Sequence, residues 1–211
     1  MDFINLNPAE IFEYPHLILG EIEAKSREEG IPLLSREAAR AVYQLCALVA
    51  PKKILELGCG IGYSAGWLAC AMEKGEFHLS DYNASYLKRT KNLINRVNPK
   101  LFVSTHKGES TLFLEQSREE FDLIFVDIDK VFYERVLELA LPRLAPKSLL
   151  IFDNACFSGR TFSPIKDKKN GVESIRATIL ALRSTKLISN LWRVGDGLLV
   201  AFKSAASDNT V

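Results

Sequence analysis

Residues 54–63 read ILELGCGIGY, and this stretch decides the fold. A short apolar run, predicted to be a buried strand, ends at Glu56, and a segment compatible with a helix begins at Ser64. Between them lie three glycines, which lack the Cβ that would hinder a tight turn or the close approach of a ligand. These glycines are Gly58, Gly60 and Gly62. The order of strand, glycine loop and helix is typical of α/β units that bind a nucleoside.

Two acidic residues narrow the choice of nucleoside. Glu56 lies two residues before the first glycine, where its carboxylate can meet a cationic ligand and would repel a pyrophosphate. Asp81 follows an alternating stretch, about 20 residues beyond the glycines, where an acid commonly holds ribose hydroxyls. Together the two acids favour a sulfonium cofactor over a dinucleotide. The glycines alone are also compatible with a tight strand-to-helix turn that binds no ligand.

The length and charge of the chain limit its organisation and its partners. The chain has 211 residues and no low-complexity stretch, so we expect one domain. Within it we expect helices in residues 1–50, a core over 51–203 and a disordered tail over 204–211. The formal net charge of +1 provides no global field that favours nucleic acid or a membrane. The first residues lack the features of a signal peptide and no apolar run could cross a bilayer, so we expect a cytoplasmic protein.

The cysteines and histidines give little support for a disulfide or a soft-metal site. The four cysteines show no CxxC pair, which argues against zinc and against disulfides. The three histidines, His16, His78 and His106, are scattered along the sequence. We therefore predict that each of them occupies a surface or strand-end position.

Strands and helices alternate along the chain in the pattern of a parallel sheet. The predicted strands cover residues 53–58, 76–81, 101–106, 121–127, 147–153, 186–193 and 197–203. The predicted helices cover residues 8–29, 35–50, 63–74, 83–98, 109–117 and 130–143, and a last helix follows a polar loop over 158–171 and ends at Arg183. The two final strands are joined across Gly195-Asp196-Gly197, which predicts an antiparallel hairpin.

A second group of candidate site residues follows two later strands. The sequence FVDIDK runs into Asp127, Asp129 and Lys130, and LIFDN runs into Asp153 and Asn154. In an open parallel sheet these strand ends share one rim with the glycine loop, in the crevice where ligands bind. Two carboxylates and an amide oxygen are hard ligands that suit a divalent cation such as Mg²⁺. The alternative is that the two acids only cap the ends of their strands.

Lys130 is the candidate general base. It lies three residues beyond Asp127, so its amine can reach into the same cleft if a helix begins there. A nearby metal cation would lower the pKa of this amine toward a value that suits a general base. The alternative is a surface ion pair between Lys130 and Asp129.

Taken together, these motifs resemble those of the cation-dependent O-methyltransferases of the catechol and caffeoyl-coenzyme A type, in particular the small bacterial members. The resemblance rests on ELGCGIGYS, VDIDKVFY, FDNACFSG and VGDGLLVAFK, and it covers the chain from about Ile31 to Lys203. It implies an α/β fold, the Rossmann-like class I methyltransferase, with a seven-stranded and mostly parallel sheet, an antiparallel last strand and helices on both faces. This fold agrees with the predicted C-terminal hairpin.

The resemblance also implies roles for individual residues. The metal ligands would be Asp127, Asp153 and Asn154, and the catalytic base would be Lys130, with Tyr133 completing a lysine-x-x-tyrosine pattern. The residues implied to bind the cofactor are Glu56, Gly58, Gly60, Ser64, Asp81, Glu109, Ser110 and Asp127. The implied cofactors are S-adenosyl-L-methionine and Mg²⁺, with Mn²⁺ or Ca²⁺ as alternatives.

Three functions remain open at this point. The resemblance favours methyl transfer to a hydroxyl group of a small phenolic, catechol-like molecule by a homodimer. Some similar bacterial proteins methylate 5-hydroxyuridine in transfer RNA, and the basic stretch 166–169, with Arg160 and Arg176, could contact phosphates or be a solvated loop. The third possibility is a nucleoside-binding protein without catalysis.

Overall fold

A computed structural model describes residues 11–164 and 170–205 of the chain. They contain a seven-stranded sheet in the order β3-β2-β1-β4-β5-β7-β6. The strands are β1 (Lys53–Leu57), β2 (Gly75–Asp81), β3 (Leu101–Lys107), β4 (Phe121–Val126), β5 (Leu144–Phe152), β6 (Ile188–Trp192) and β7 (Leu198–Lys203). Strand β7 runs antiparallel to β5 and β6, whereas β1 to β5 pair in parallel. The predicted fold class is confirmed, including the antiparallel last strand.

Seven helices in the described residues cover both faces of this sheet. They are α1 (Leu17–Glu29), α2 (Arg36–Val49), α3 (Tyr63–Ala71), α4 (Ala84–Val97), α5 (Ser110–Gln116), α6 (Tyr133–Ala140) and α7 (Asn170–Leu182). Successive residues of a strand point to opposite faces. Ile54 accordingly packs in a core cluster with side chains of α1 to α4, and Leu55 packs in a second cluster with side chains of α5 to α7.

The first helix is shorter than predicted. Its helical segment begins at Leu17, and the side chain of His16 caps it by accepting a hydrogen bond from the backbone N–H of Ile18, at 3.2 Å. Pro15 explains the late start, because a proline disfavours the helical conformation of the residue before it. Residues 8–10 of the predicted helix lie outside the described residues, as do residues 206–211 of the predicted tail.

Strand β5 begins three residues earlier than predicted. The strand continues through Pro146, because Leu144 pairs with Phe121 before the register shifts between Phe121 and Leu123. Lys147 at this irregularity has a φ of 60°. A bulge of this kind lets a strand tolerate a proline, which cannot donate to the ladder.

The predicted helix 130–143 consists of three pieces. A 3₁₀ turn over Lys130–Phe132 leads into α6, and a second 3₁₀ turn covers Leu141–Arg143. Asp129 starts the first turn by accepting a hydrogen bond from the backbone N–H of Val131, at 3.3 Å. Pro142 lies in the last turn, where it ends the regular helix.

One carboxylate ties the N-terminal helices to the glycine loop. Glu23 of α1 accepts hydrogen bonds from Tyr14 (2.7 Å), from Tyr63 at the start of α3 (2.8 Å) and from Arg36 of α2 (2.9 and 3.1 Å). Burial alone would raise the pKa of Glu23, but the hydrogen bonds from Arg36, Tyr14 and Tyr63 outweigh it and lower the pKa to about 2. The ionised carboxylate therefore stabilises this packing.

We expect Glu23→Gln to lower the free energy of unfolding at pH 7 by about 2 kcal/mol after allowance for solvent screening, because the Arg36 guanidinium loses its half-buried anionic partner. A lowered carboxyl pKa stabilises the folded state above pH 4.5, and this stabilisation is lost as the pH falls toward 2. Urea unfolding at pH 7 and at pH 3 measures both effects. Glu28→Gln, at an exposed position of the same helix, is the control. Equal losses in the two variants would contradict the assignment.

Candidate active site

The candidate site lies at the carboxyl ends of the central strands. The backbone N–H of Asp127 donates to the carbonyl of Leu57 at 2.9 Å, and that of Asp153 donates to the carbonyl of Val126 at 3.0 Å. In the same way the N–H of Gly58 donates to the carbonyl of Ser80 at 2.8 Å. These hydrogen bonds continue the ladders by one residue beyond each strand. They bring the ends of β2, β1, β4 and β5 to one rim.

Two glycines of the turn have different surroundings. Gly58 has a φ of 86°, and a Cβ there would overlap the carbonyl oxygen of Asp127. The close approach of β1 to the end of β4 therefore requires glycine. Gly60 has a φ of 48°, and a Cβ there would meet nothing within 4 Å, so the turn leaves open space at this point. A ligand can approach the backbone there.

Glu56 is a buried carboxyl group with one unused oxygen. It is fully buried, one oxygen accepts a hydrogen bond from the Ser64 hydroxyl, and Oε2 has no hydrogen-bond partner among the described residues. The pKa of Glu56 is raised to about 8, mainly by burial; the hydrogen bond from Ser64 lowers it, and the charges of Asp127 and Asp81 raise it. A cationic ligand would favour the ionised form of this carboxyl group and pair with it.

The other candidate cofactor residues border the same rim. Asp81 links the end of β2 to the turn, because its Oδ2 accepts from the N–H of Gly60 at 3.0 Å. Its Oδ1 accepts from the N–H of Asn83 at 2.8 Å. Glu109 accepts a hydrogen bond from the Thr111 hydroxyl and, with Ser110, lines a small cavity. Two cavities at this rim, one beside Glu109 and one beside Gly58 and Asp127, together border most of the predicted cofactor residues.

Lys130 pairs with Asp127 and not with Asp129, the partner in the alternative interpretation. Its Nζ donates to Asp127 Oδ1 at 2.9 Å and to the carbonyl of Ile128 at 3.1 Å. Only 12% of the Lys130 side chain is exposed. The amine therefore lies in the cleft at the end of β4, and not on the protein surface.

Asp153 provides a second buried carboxyl group beside Asp127. It is 2% exposed, and its Oδ1 has no hydrogen-bond partner among the described residues. Burial, followed by the charge of Asp127, raises the pKa of Asp153 to about 7. An unpartnered buried carboxyl group next to a second carboxylate suits a divalent cation with oxygen ligands. The residues present therefore fit the predicted metal.

The backbone around Asp153 is fixed from both sides. The Tyr133 hydroxyl, fully buried in α6, donates to the carbonyl of Asp153 at 2.6 Å. Asn154 follows with a φ of 53°, a left-handed conformation that asparagine tolerates better than most residues. The chain thus turns sharply at the residue that the resemblance implies as a metal ligand.

Sequence reasoning missed two residues at this site. A Cβ on Gly171 would come within 2.9 Å of the Lys130 Cβ, so glycine lets the start of α7 pack directly on the candidate base. Asp196 accepts a hydrogen bond from the N–H of Ser158 at 2.6 Å, and its charge contributes to the raised pKa of Asp153. The Gly-Asp-Gly turn is the sequence signal for Asp196, but by itself it predicts only a hairpin.

The basic loop considered for RNA is only partly described. Residues 166–169 lie outside the described residues. Arg176 is half-buried, and its guanidinium donates to the carbonyls of Thr161 (2.9 Å) and Ser163 (2.6 Å). Arg176 therefore holds the preceding loop, and these donors are not available to a phosphate.

The prediction for His78 was wrong, whereas His106 lies near the end of β3, as expected for a strand-end position. His78 lies in the middle of β2 and is buried, and its ring stacks on that of His106 of β3 with centroids 5.6 Å apart. His78 also belongs to a Glu76–His78–Glu119 cluster whose ligand atoms lie within 4.8 Å of one another. However, Lys53 Nζ lies 3.1 Å from the Glu76 carboxylate and 2.8 Å from that of Glu119, so an ammonium already pairs with both acids.

Within residues 11–164 and 170–205, no helix combines the length and the apolar character that a membrane span requires.

Comparison with known proteins gives a consistent result. The family model described as O-methyltransferase matches residues 12–204. A catechol O-methyltransferase from Niastella koreensis is 31% identical over 140 residues, which make up 63% of each chain, so this chain spans less than two thirds of that relative. The mouse catechol O-methyltransferase domain-containing protein 1 is 28% identical over 90% of this chain and 75% of its own.

Solved structures show the same fold at lower sequence identity. An O-methyltransferase from Bacillus cereus in complex with SAH superposes with a TM-score of 0.80, at 22% identity over 93% of this chain and 94% of that one. An O-methyltransferase from Streptomyces achromogenes in complex with SAM gives a TM-score of 0.78, at 21% identity over 93% of each chain. At these identities the likeness concerns the fold alone.

Proposed function

This chain belongs to the O-methyltransferase family, and from that premise we propose that it transfers the methyl group of S-adenosyl-L-methionine to a hydroxyl group of a small phenolic, catechol-like molecule with the help of a divalent cation. Family membership favours this proposal over a nucleoside-binding protein without catalysis. The related catechol O-methyltransferase supports the class of acceptor.

One observation carries the proposal: the unpartnered oxygens of two buried carboxyl groups lie at the same sheet rim. Glu56 Oε2 and Asp153 Oδ1 have no partner among the described residues; Glu56 lies near the end of β1, just before the glycine turn, and Asp153 follows β5, close enough to Asp127 for that charge to raise its pKa. Buried carboxyl groups without partners are costly unless a ligand compensates them. A sulfonium at Glu56 and a divalent cation at Asp153 are the two ligands that would do so.

The donor set divides into two parts. Glu56, Asp81 and the glycine turn would hold the cofactor, which supplies an activated methyl group. Asp127, Asp153 and Asn154 would hold the cation, which supplies a positive charge that acidifies and orients an acceptor hydroxyl. Asp127 lies between the proposed cofactor and cation residues. Its carbonyl oxygen lies close to Gly58 of the glycine turn, and its carboxylate accepts a hydrogen bond from Lys130.

The proposed role of Lys130 is to accept the proton of the acceptor hydroxyl. Its side chain is buried against Gly171 and Tyr133, with Nζ 5.3 Å from the centre of the Tyr133 ring. This packing limits its freedom, so the amine stays in the cleft. Nζ donates to the Asp127 carboxylate at 2.9 Å, so a divalent cation held by Asp127 would compete with the amine for this carboxylate.

Methyl transfer is tested with radiolabelled S-adenosyl-L-methionine, Mg²⁺ and a set of acceptors. We expect catechols to be methylated at least about tenfold faster than monophenols of the same size, because only a catechol offers two adjacent oxygens to one cation. Chelation with EDTA should abolish the reaction, and added Mg²⁺ should restore it. Bulk transfer RNA is included as an acceptor.

The acceptor set separates the remaining alternatives. If transfer RNA is labelled and no catechol is, the acceptor is not a small phenol, and methylation of transfer RNA is favoured. Tight cofactor binding with no labelled acceptor would favour a binding protein. Activity that persists in EDTA would contradict the proposed requirement for a divalent cation.

Several expectations stay predictions. They are the homodimer, the assignment of residues 1–50 to the same domain as the core, and the roles of the individual site residues. Sedimentation of the purified chain checks the first of them.

A further inference from the structure

A groove runs between α1 and α4, outside the sheet rim. Its volume is about 490 Å³. Along α4 the lining extends from Ser85 to Arg96, a rise of about 16 Å at 1.5 Å per residue. Such a volume is in the range of small-molecule sites.

The walls of this groove are strongly cationic. Lys25, Lys88, Arg89 and Arg96 line it, against a single carboxylate, that of Glu21. Lys25 pairs with Glu29 at 3.5 Å. Within the described part of the chain, no ion pair or hydrogen bond engages the side-chain charge of Lys88, Arg89 or Arg96. Because the whole chain carries a net charge of only +1, this surplus is local.

The floor of the groove is apolar. Ile18 and Ile22 of α1 and Leu93 of α4 contribute to it and are at most 8% exposed. Ile61, from the glycine turn, also lines the groove. A groove with cations on its walls and hydrocarbon beneath them matches a ligand that has an anionic head and an apolar body.

We propose that this groove binds an amphiphilic organic phosphate, a molecule with a short hydrocarbon part and a phosphate monoester. Phosphate suits the two arginines, which can donate two parallel hydrogen bonds to it, and its charge balances the surplus of cations. A nucleic-acid backbone fits less well, because it offers no hydrocarbon to cover Ile22 and Leu93. None of the predicted cofactor or metal residues lines this groove, so the inference goes beyond the proposed methyl transfer.

Calorimetric titration of the full chain with hexyl phosphate tests the proposal, with inorganic phosphate and hexanol as comparison ligands. Each buried methylene favours binding by about fourfold, so we expect hexyl phosphate to bind more than tenfold tighter than inorganic phosphate. Hexanol, which lacks the anion, should give no measurable binding. Equal affinity for hexyl phosphate and inorganic phosphate would overturn the amphiphilic site, as would no binding of hexyl phosphate at millimolar concentration.

Charge reversal on α4 locates the site. We expect the double variant Lys88→Glu/Arg89→Glu to weaken hexyl phosphate binding at least tenfold. Lys91→Glu changes the charge of the same helix at an exposed position outside the groove, and it should change the affinity less than twofold. Equal weakening in both proteins would mean a diffuse charge effect and would overturn the groove as the site.

Two further measurements complete the test. Competition of hexyl phosphate by bulk transfer RNA, with RNA binding the tighter of the two, would assign the groove to nucleic acid and overturn the proposal. Cofactor binding, measured in the same variants, should stay within twofold of the unaltered chain. Because binding is read directly, a failed methyl-transfer assay leaves this result unaffected, and the reverse also holds.

Discussion

Replacement of Asp153 by asparagine is expected to lower kcat/KM for methyl transfer by about a hundredfold or more. The change removes one negative charge from the proposed cation site and keeps the size of the side chain. A cation that stabilises developing charge on the acceptor contributes several kcal/mol to catalysis, so weakening its site has a large effect. Initial rates at saturating Mg²⁺ and over a Mg²⁺ titration separate the loss of turnover from the loss of cation affinity.

Thermal unfolding gives a readout of the same variant without catalysis. Burial raises the pKa of Asp153 to about 7, so without a cation the folded state increasingly disfavours the ionised carboxylate as the pH rises from about 4 to 7. At pH 8 the asparagine variant should therefore have a Tm no lower than that of the unaltered chain in EDTA. Mg²⁺ should raise the Tm of the unaltered chain and leave that of the variant unchanged.

Asp129→Asn is the matched control, because Asp129 is an exposed acid on the adjacent loop and asparagine keeps its capping hydrogen bond to Val131. We expect its rate and its Mg²⁺ response to stay within about threefold of the unaltered chain. An Asp153→Asn variant that retains a normal Mg²⁺-dependent rise in Tm would show that Asp153 does not bind the cation.

The rim of the sheet could be predicted because each of its parts is a local pattern. The strand that contains Glu56 leads into the glycine turn, and the runs before Asp127 and Asp153 are apolar strands followed by acids; parallel strands of this kind have their carboxyl ends on one side of the sheet. The pairing of Leu57 with Val126 and of Val126 with Phe152 then brings those acids together. The fold therefore follows from the order of the strands and does not depend on fine packing.

The histidine pair could not be predicted in the same way. His78 and His106 lie on neighbouring strands, and they meet only because His78 pairs with Ser104, which puts His106 one step along the same face. That contact depends on the register between two parallel strands, and a shift of one residue would turn His106 to the opposite face. No local pattern in either strand specifies this register.

The bulge in β5 and the groove between α1 and α4 were missed for a related reason. Pro146 is a turn signal in isolation, and only the ladder to Phe121 extends the strand through it. The groove combines residues about 70 positions apart, from Ile18 to Arg89, on helices whose relative placement is set by packing. Contacts between residues so far apart in the sequence depend on how the helices pack, and no local sequence pattern predicts them.

Lys130→Met is expected to lower kcat by about a hundredfold to ten-thousandfold, the usual range for loss of a general base, and to change the dissociation constant of S-adenosyl-L-methionine less than threefold. Methionine has nearly the shape of lysine and can fill the space beside Gly171, so the fold should be retained. Single-turnover rates and equilibrium binding of the cofactor measure the two quantities separately.

Lys130→Arg separates a base from a fixed positive charge. Arginine keeps the ion pair with Asp127, but its guanidinium does not lose its proton in proteins. If Lys130 accepts the proton of the acceptor, the arginine variant should be as impaired in turnover as the methionine variant, although its charge is intact. Lys147→Met, at an exposed lysine in the β5 bulge, is the control for the substitution itself. Recovery of turnover to within tenfold by Lys130→Arg would show that this side chain acts through its charge alone, and general-base catalysis would then have to come from another group at the rim.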